Sequence, residues 1–159
     1  VSKDGEVLKE RSHVDSQGIA LLRSSGIRVV FVTAEKSGFV ESVGMKLNSS
    51  VLPSVKNGDW ERISTFSGHT GDEKINVIDQ WLKDANIDWL NCAYMGDDLS
   101  DYEILKKVGF PSAPAQAEKV IKEICVYVTK RCGGDGAIRD LVNFILEAKE
   151  IDPTTLARR

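Results

Sequence analysis

Cysteine is scarce in this chain: Cys92, Cys125 and Cys132 are an odd number and show no CxxC spacing. That excludes a disulfide-stapled scaffold and points to reduced buried or loop thiols in a reducing compartment. A zinc pair at Cys125 and Cys132 would need histidine partners, and His13 and His69 lie far apart in sequence. Long apolar runs are missing too. The longest, residues 27–33, is interrupted by Arg28, far short of a membrane-spanning helix. No signal-peptide pattern opens the chain, so a cytoplasmic address is expected, with a nuclear one open. Net charge is only −3 with both signs scattered, which speaks against nucleic acid or an anionic membrane as partner. Internal repeats and low-complexity blocks are absent as well.

What remains has the composition of one soluble globular domain, 42% hydrophobic and 28% charged, long enough to bury a core. Residues 1–9 read as a β-hairpin turning at Asp4-Gly5. A helix is expected over residues 16–26, stopped by Gly26, then a buried parallel strand over 27–33. Residues 39–47 suit a second helix. Residues 48–70 read as a long loop with a short strand near 62–66. Helix returns over 72–85, where Ile75, Ile78, Trp81 and Leu82 recur at helical spacing. A strand over 90–96, helices over 101–108 and 117–124, a short strand over 126–128 and a helix over 137–149 follow. A loosely ordered tail, residues 151–159, ends the domain of residues 1–150. Strands and helices alternating at this interval predict an α/β doubly wound parallel sheet, which binds ligands beyond the carboxyl ends of its strands.

Two strand ends carry chemistry. Thr33 ends the first strong strand, with Ala34, Glu35 and Lys36 just beyond, and Asp97, Asp98 and Asp101 follow a later one. Three carboxylates so close raise one another's pKa unless a cation stands among them. Mg²⁺ fits, because it takes one or two carboxylates plus water and phosphate. A helix start decorated with acids explains the same residues through the dipole and N-cap preference. Lys74, opening a helix, supplies either a charge for a phosphate or an ordinary surface ammonium.

Taken in order, Thr33, Lys74 and the Asp97–Asp101 cluster resemble motifs two to four of the haloacid dehalogenase-like phosphatases. Further segments resemble their sugar-acid phosphatase branch. These are Asp4-Gly5-Glu6 through Asp15-Ser16-Gln17-Gly18-Ile19, Tyr94 to Asp101, Val108-Gly109 with Pro114-Ala115, and Gly133-Gly134-Asp135-Gly136-Ala137-Ile138-Arg139. That branch comprises 3-deoxy-D-manno-octulosonate 8-phosphate phosphatases, 2-keto-3-deoxy-nonulosonate 9-phosphate phosphatases and the phosphatase-like domain of acylneuraminate cytidylyltransferases of sialic acid biosynthesis. The similarity covers nearly the whole chain except residues 52–71.

The resemblance implies a Mg²⁺-dependent phosphatase of a 2-keto-3-deoxy sugar acid phosphate. Thr33 and Lys74 would be catalytic and hold the phosphate, with Ala34, Glu35 and Arg139 also toward substrate and Asp97, Asp98 and Asp101 at the metal. It implies a homotetramer in which the glycine-rich loop reaches a neighbouring active site. Glu35 matches the Gly-Glu-Lys of the nonulosonate type rather than the Gly-Arg of the octulosonate type. The family's first strand, with the DxD nucleophile, is expected just before Val1, and Asp4 in its turn is no substitute. That departure, with Trp81 and Trp89, leaves a second expectation, a non-catalytic tetramerisation domain of a cytidylyltransferase. A phosphorelay receiver would put its acids after the first strand and its lysine last, whereas here the order is threonine, lysine, then acids.

Overall fold

The computed structural model describes residues 11–49 and 61–157; the expected hairpin and the strand before it lie outside them. The element order is α1 (His13–Ser24), β1 (Val30–Thr33), α2 (Phe39–Ser49), β2 (Ser64–Ser67), α3 (Asp72–Asp84), β3 (Ala93–Met95), α4 (Tyr102–Leu105), β4 (Phe110–Ala113), α5 (Lys119–Ile124), β5 (Tyr127–Val128), α6 (Ala137–Ala148) and α7 (Pro153–Ala157). Every described strand pairing is parallel. β1 pairs with β2, Thr33 opposite Ser67, and β3, β4 and β5 pair in that order.

Helices cover both faces, as the α/β reading requires. Along β1, Phe31 packs with Ile19, Leu47 and Ile63, while Val32 packs with Ile78, Leu82, Ile104 and Val108 on the opposite side. Successive strand residues point to opposite faces, so one short strand serves two clusters. The second sheet behaves alike: Ala113 joins Leu105, Ala117 and Ile121, whereas Phe110 and Tyr127 stack on Phe144 of α6.

Several boundaries differ from the sequence expectation for local reasons. α1 starts at His13 because the Ser12 hydroxyl accepts the Asp15 N–H at 3.2 Å and caps the helix earlier. The strand expected from residue 90 starts at Ala93. Asp88 accepts the Leu90 N–H and turns Trp89–Asn91 into a 3₁₀ turn. Asp98 likewise caps Leu99, so a 3₁₀ turn at Leu99–Asp101 precedes a short α4. The tail is ordered through α7, with Ile151 and Leu156 packed against Leu21, Leu22, Val142 and Leu146.

α1 and α6 are joined by more than apolar contact. A Cβ on Gly18 would stand 3.2 Å from the Arg139 Cδ and 3.3 Å from the Val142 Cγ2, so the two helices meet closely where Gly18 has no side chain. One turn away, buried Asp15 accepts the N–H of Gly136 at 3.2 Å and of Arg139 at 3.0 Å. Its carboxylate thereby satisfies the orphan N–H groups of α6 from 121 residues away in sequence. Asp15→Ala should destabilise the protein by about 1–3 kcal/mol in urea unfolding, the cost of an orphaned buried donor. A variant as stable as the parent would show that water replaces the cap.

Candidate functional site

The carboxyl ends of β1, β2 and β3 converge. At the end of β1, the Thr33 carbonyl accepts the His69 N–H, and the Glu35 carbonyl accepts the Gly68 N–H, both at 3.1 Å. These bonds zip the loop after β1 to the loop after β2. The Thr33 Oγ1 accepts the Glu35 N–H at 3.1 Å, which leaves its own O–H proton to donate outward. Ala34 is exposed and Glu35 half-buried. Lys36 lays its stem along Gly68, its Cε 2.7 Å from where a Cβ would stand.

From His69 the chain runs into α3, whose first turn carries Lys74. Both the Lys74 and Asp101 side chains are only 7% exposed, and the Lys74 Nζ stands 2.8 Å from the Asp101 Oδ1. Burial at that depth would be prohibitive for either charge alone. The Ser100 Oγ lies 3.4 Å from the same ammonium. Asp101 also accepts the Tyr94 hydroxyl at 2.8 Å on Oδ1 and the Asp97 N–H at 3.2 Å on Oδ2. Gly96 permits this wrap: a Cβ there would fall 2.5 Å from the Asp101 Cβ.

Asp101 is thus a buried anchor, whereas Asp97 and Asp98 are exposed. The Asp97 carbonyl accepts the Glu118 N–H at 3.0 Å, and the Asp98 carboxylate accepts the Leu99 N–H at 2.6 Å. Loss of hydration at the rim, then the charges of Asp101 and Asp98, push the Asp97 carboxyl above its ordinary range. A divalent cation would relieve that repulsion. No group of three metal-ligating side chains converges among the described residues. Two exposed carboxylates suit Mg²⁺, which completes its shell with water and phosphate.

The glycine-rich loop is placed differently. Gly133 donates its N–H to Gln116 at 2.8 Å, and the start of α6 is already filled by Asp15. The Arg139 guanidinium donates to Asn143 at 2.9 Å. Among the described residues no hydrogen bond or ion pair joins Arg139 to Thr33, Lys74 or the acids. The thiols face no such site: burial pushes Cys92 up to about 11, and Cys125 is raised for the same reason.

Sequence reasoning placed Tyr94, Gly96 and Ser100 in the acidic segment but gave none of them a role of its own. Tyr94 precedes the acidic loop by three residues and reads as strand filler, since nothing in one sequence shows that its hydroxyl turns toward Asp101.

Two outcomes follow from this geometry. Lys74→Met, which orphans the Asp101 charge, should cost about 3–5 kcal/mol, and adding Asp101→Asn should return much of it. Denaturant titrations of both variants check this, and a single-variant loss below about 1 kcal/mol would contradict the buried pair. For Asp97 the folded-state pKa lies above the unfolded one. Its contribution to stability is therefore fully present below the ordinary aspartate range and lost as pH rises through the folded value. In chelator, Asp97→Asn should raise the melting temperature at neutral pH, with the gain fading on acidification.

Comparison with known proteins agrees with the family resemblance. A family model described as haloacid dehalogenase-like hydrolase matches residues 60–139. The 3-deoxy-D-manno-octulosonate 8-phosphate phosphatase of Escherichia coli K12 is 30% identical over 149 residues, covering 94% of this chain and 71% of that protein. The crystal structure of the same phosphatase from Moraxella catarrhalis, in complex with magnesium, phosphate and KDO, superposes with a TM-score of 0.77 at 26% identity, over 92% of this chain and 76% of that one. The Yersinia pestis phosphatase gives 0.79 at 27% identity, over 94% and 72%. The chain belongs to the haloacid dehalogenase-like hydrolases and is related to their 3-deoxy-D-manno-octulosonate 8-phosphate phosphatases.

Proposed function

We propose that this chain forms the phosphate- and metal-holding part of a Mg²⁺-dependent phosphatase acting on a 2-keto-3-deoxy sugar acid phosphate. The observation that carries this reading is the buried Lys74–Asp101 pair beside the exposed Asp97 and Asp98. Asp97 is the first carboxylate for Mg²⁺, with Asp98 beside it and Asp101 fixing the loop from behind. Bound there, the ion would neutralise phosphoryl oxygens.

The protein's own groups do the positioning. The Thr33 hydroxyl, its oxygen already engaged by Glu35, donates its proton to a phosphoryl oxygen. Lys74 uses one ammonium proton on Asp101 and one on the more distant Ser100 hydroxyl, which leaves the third for the phosphate. Such prearranged donors act where charge develops in phosphoryl transfer. The family resemblance assigns the nucleophile to an aspartate on a strand outside the residues described here.

Glu35 directs the reading to nine-carbon acids over eight-carbon ones, and Arg139 would serve substrate only in a neighbouring copy of a homotetramer. The relatives named above are phosphatases, which does not favour the non-catalytic cytidylyltransferase domain. In the membrane respect, no helix among the described residues is long and apolar enough to cross one; the proposed location is the cytoplasm.

The test is phosphate release by the full-length protein from nonulosonate 9-phosphate and octulosonate 8-phosphate with and without Mg²⁺. Asp97→Ala should lower turnover on the order of 10²-fold or more. Undiminished Mg²⁺-dependent activity in that variant, or no release from either substrate, would overturn the proposal.

A further inference from the structure

Tyr94 opens the segment that resembles the sugar-acid phosphatases, where no role falls to it, yet its hydroxyl ends on the central carboxylate. Its ring lies between two apolar clusters. One is Ile78, Leu82, Ile104 and Val108, and the other is Leu105, Ala113, Ala117 and Ile121. Held from both sides by close-packed side chains, the ring has little room to move. The hydroxyl at its tip is therefore fixed by the core rather than by the loop it touches.

That tip meets Asp101 at 2.8 Å, on the same Oδ1 that the Lys74 ammonium approaches at 2.8 Å. The other oxygen, Oδ2, takes the Asp97 N–H. A carboxylate accepts only, so Tyr94 is the donor in this bond. Three donors from β3, from the acidic loop and from α3 thus fix one carboxylate in both position and rotation. Of these, the Asp97 N–H belongs to the loop itself, and Lys74 is the group to be positioned. Tyr94 is the only one of the three that brings an independent reference.

We infer that Tyr94 is a positioning residue: its hydroxyl orients the Asp101 carboxylate, and through it sets where the Lys74 ammonium stands. Its role in phosphate binding rests on the phosphatase reading above, but its role in aligning Asp101 and Lys74 does not.

Tyr94→Phe in the full-length protein keeps the ring and removes only the hydroxyl. Tyr127→Phe is the control, because that hydroxyl meets the Asp140 carbonyl at 3.4 Å, away from the acids. Tyr94→Phe should raise KM for the phosphate ester and weaken inhibition by inorganic phosphate about tenfold, the size of one lost hydrogen bond to a charged group. Tyr127→Phe should leave both unchanged. Equal phosphate constants for Tyr94→Phe and the parent would overturn the inference, as would an equal loss in the control. If the parent neither hydrolyses the esters nor binds phosphate, the phosphatase reading fails. The crystal structure of Tyr94→Phe then decides on its own: a rotated Asp101 and displaced Lys74 Nζ uphold the positioning role, and unchanged coordinates end it.

Discussion

A lysine and an aspartate that are both almost wholly withdrawn from water must find each other, and in doing so they fix everything around them. Lys74 and Asp101 come from different sheets: one opens the helix after β2, the other closes the loop after β3. Their 2.8 Å contact ties a two-stranded and a three-stranded sheet that share no hydrogen-bonded ladder among the described residues. Such a pair gives weak net stability, since desolvation offsets much of the attraction. It gives geometry instead. With Asp101 fixed, the Asp97 backbone is held by the 3.2 Å bond to Oδ2, and the exposed carboxylates are presented at a set height above the sheet.

The same logic explains why the glycine-rich loop differs from a phosphate cradle within this chain. A helix start attracts anions through its free N–H groups and dipole. At α6 that position is taken by the protein's own Asp15, with Arg131 and Asp140 paired close by at 2.7 Å. An internal carboxylate on the helix leaves no N–H of Gly136 or Arg139 for a ligand. The start of α6 is a structural joint between α1 and α6, and the proposed phosphate site lies instead at Thr33 and Lys74.

Legibility in the sequence divides along physical lines. The parallel α/β architecture was readable because β-branched runs such as residues 27–33 and helical spacing such as Ile78 and Leu82 record burial on faces. The meeting of Lys74 with Asp101 was readable only through the order of the motifs, since strand ends of parallel sheets carry their loops on one side. What stayed hidden depends on rotamers and on close approach. Asp97, Asp98 and Asp101 look alike in sequence, yet one is an anchor and two are exposed, because Gly96 admits Asp101 and no other. Helix boundaries shifted wherever a side chain took a backbone N–H, as Ser12, Asp88 and Asp98 do. Single caps outweigh periodicity at element ends.

The charge arrangement at the rim constrains the chemistry further. Lys74 is the cation buried at this site, and Asp101 already balances it. Asp97 and Asp98 then add negative charge to the exposed rim, which would repel a phosphate ester bound as proposed. Lys36 projects near the same end, but as an exposed ammonium it is screened by water. On the proposed reading a divalent cation would favour an anion at this rim, because the Lys74 ammonium is already paired internally. Had Asp101 been turned away from the lysine, the ammonium itself could have balanced the phosphate. The inward-facing aspartate, with Tyr94 behind it, is therefore what, on the proposed reading, leaves the charge of a phosphate to a divalent cation.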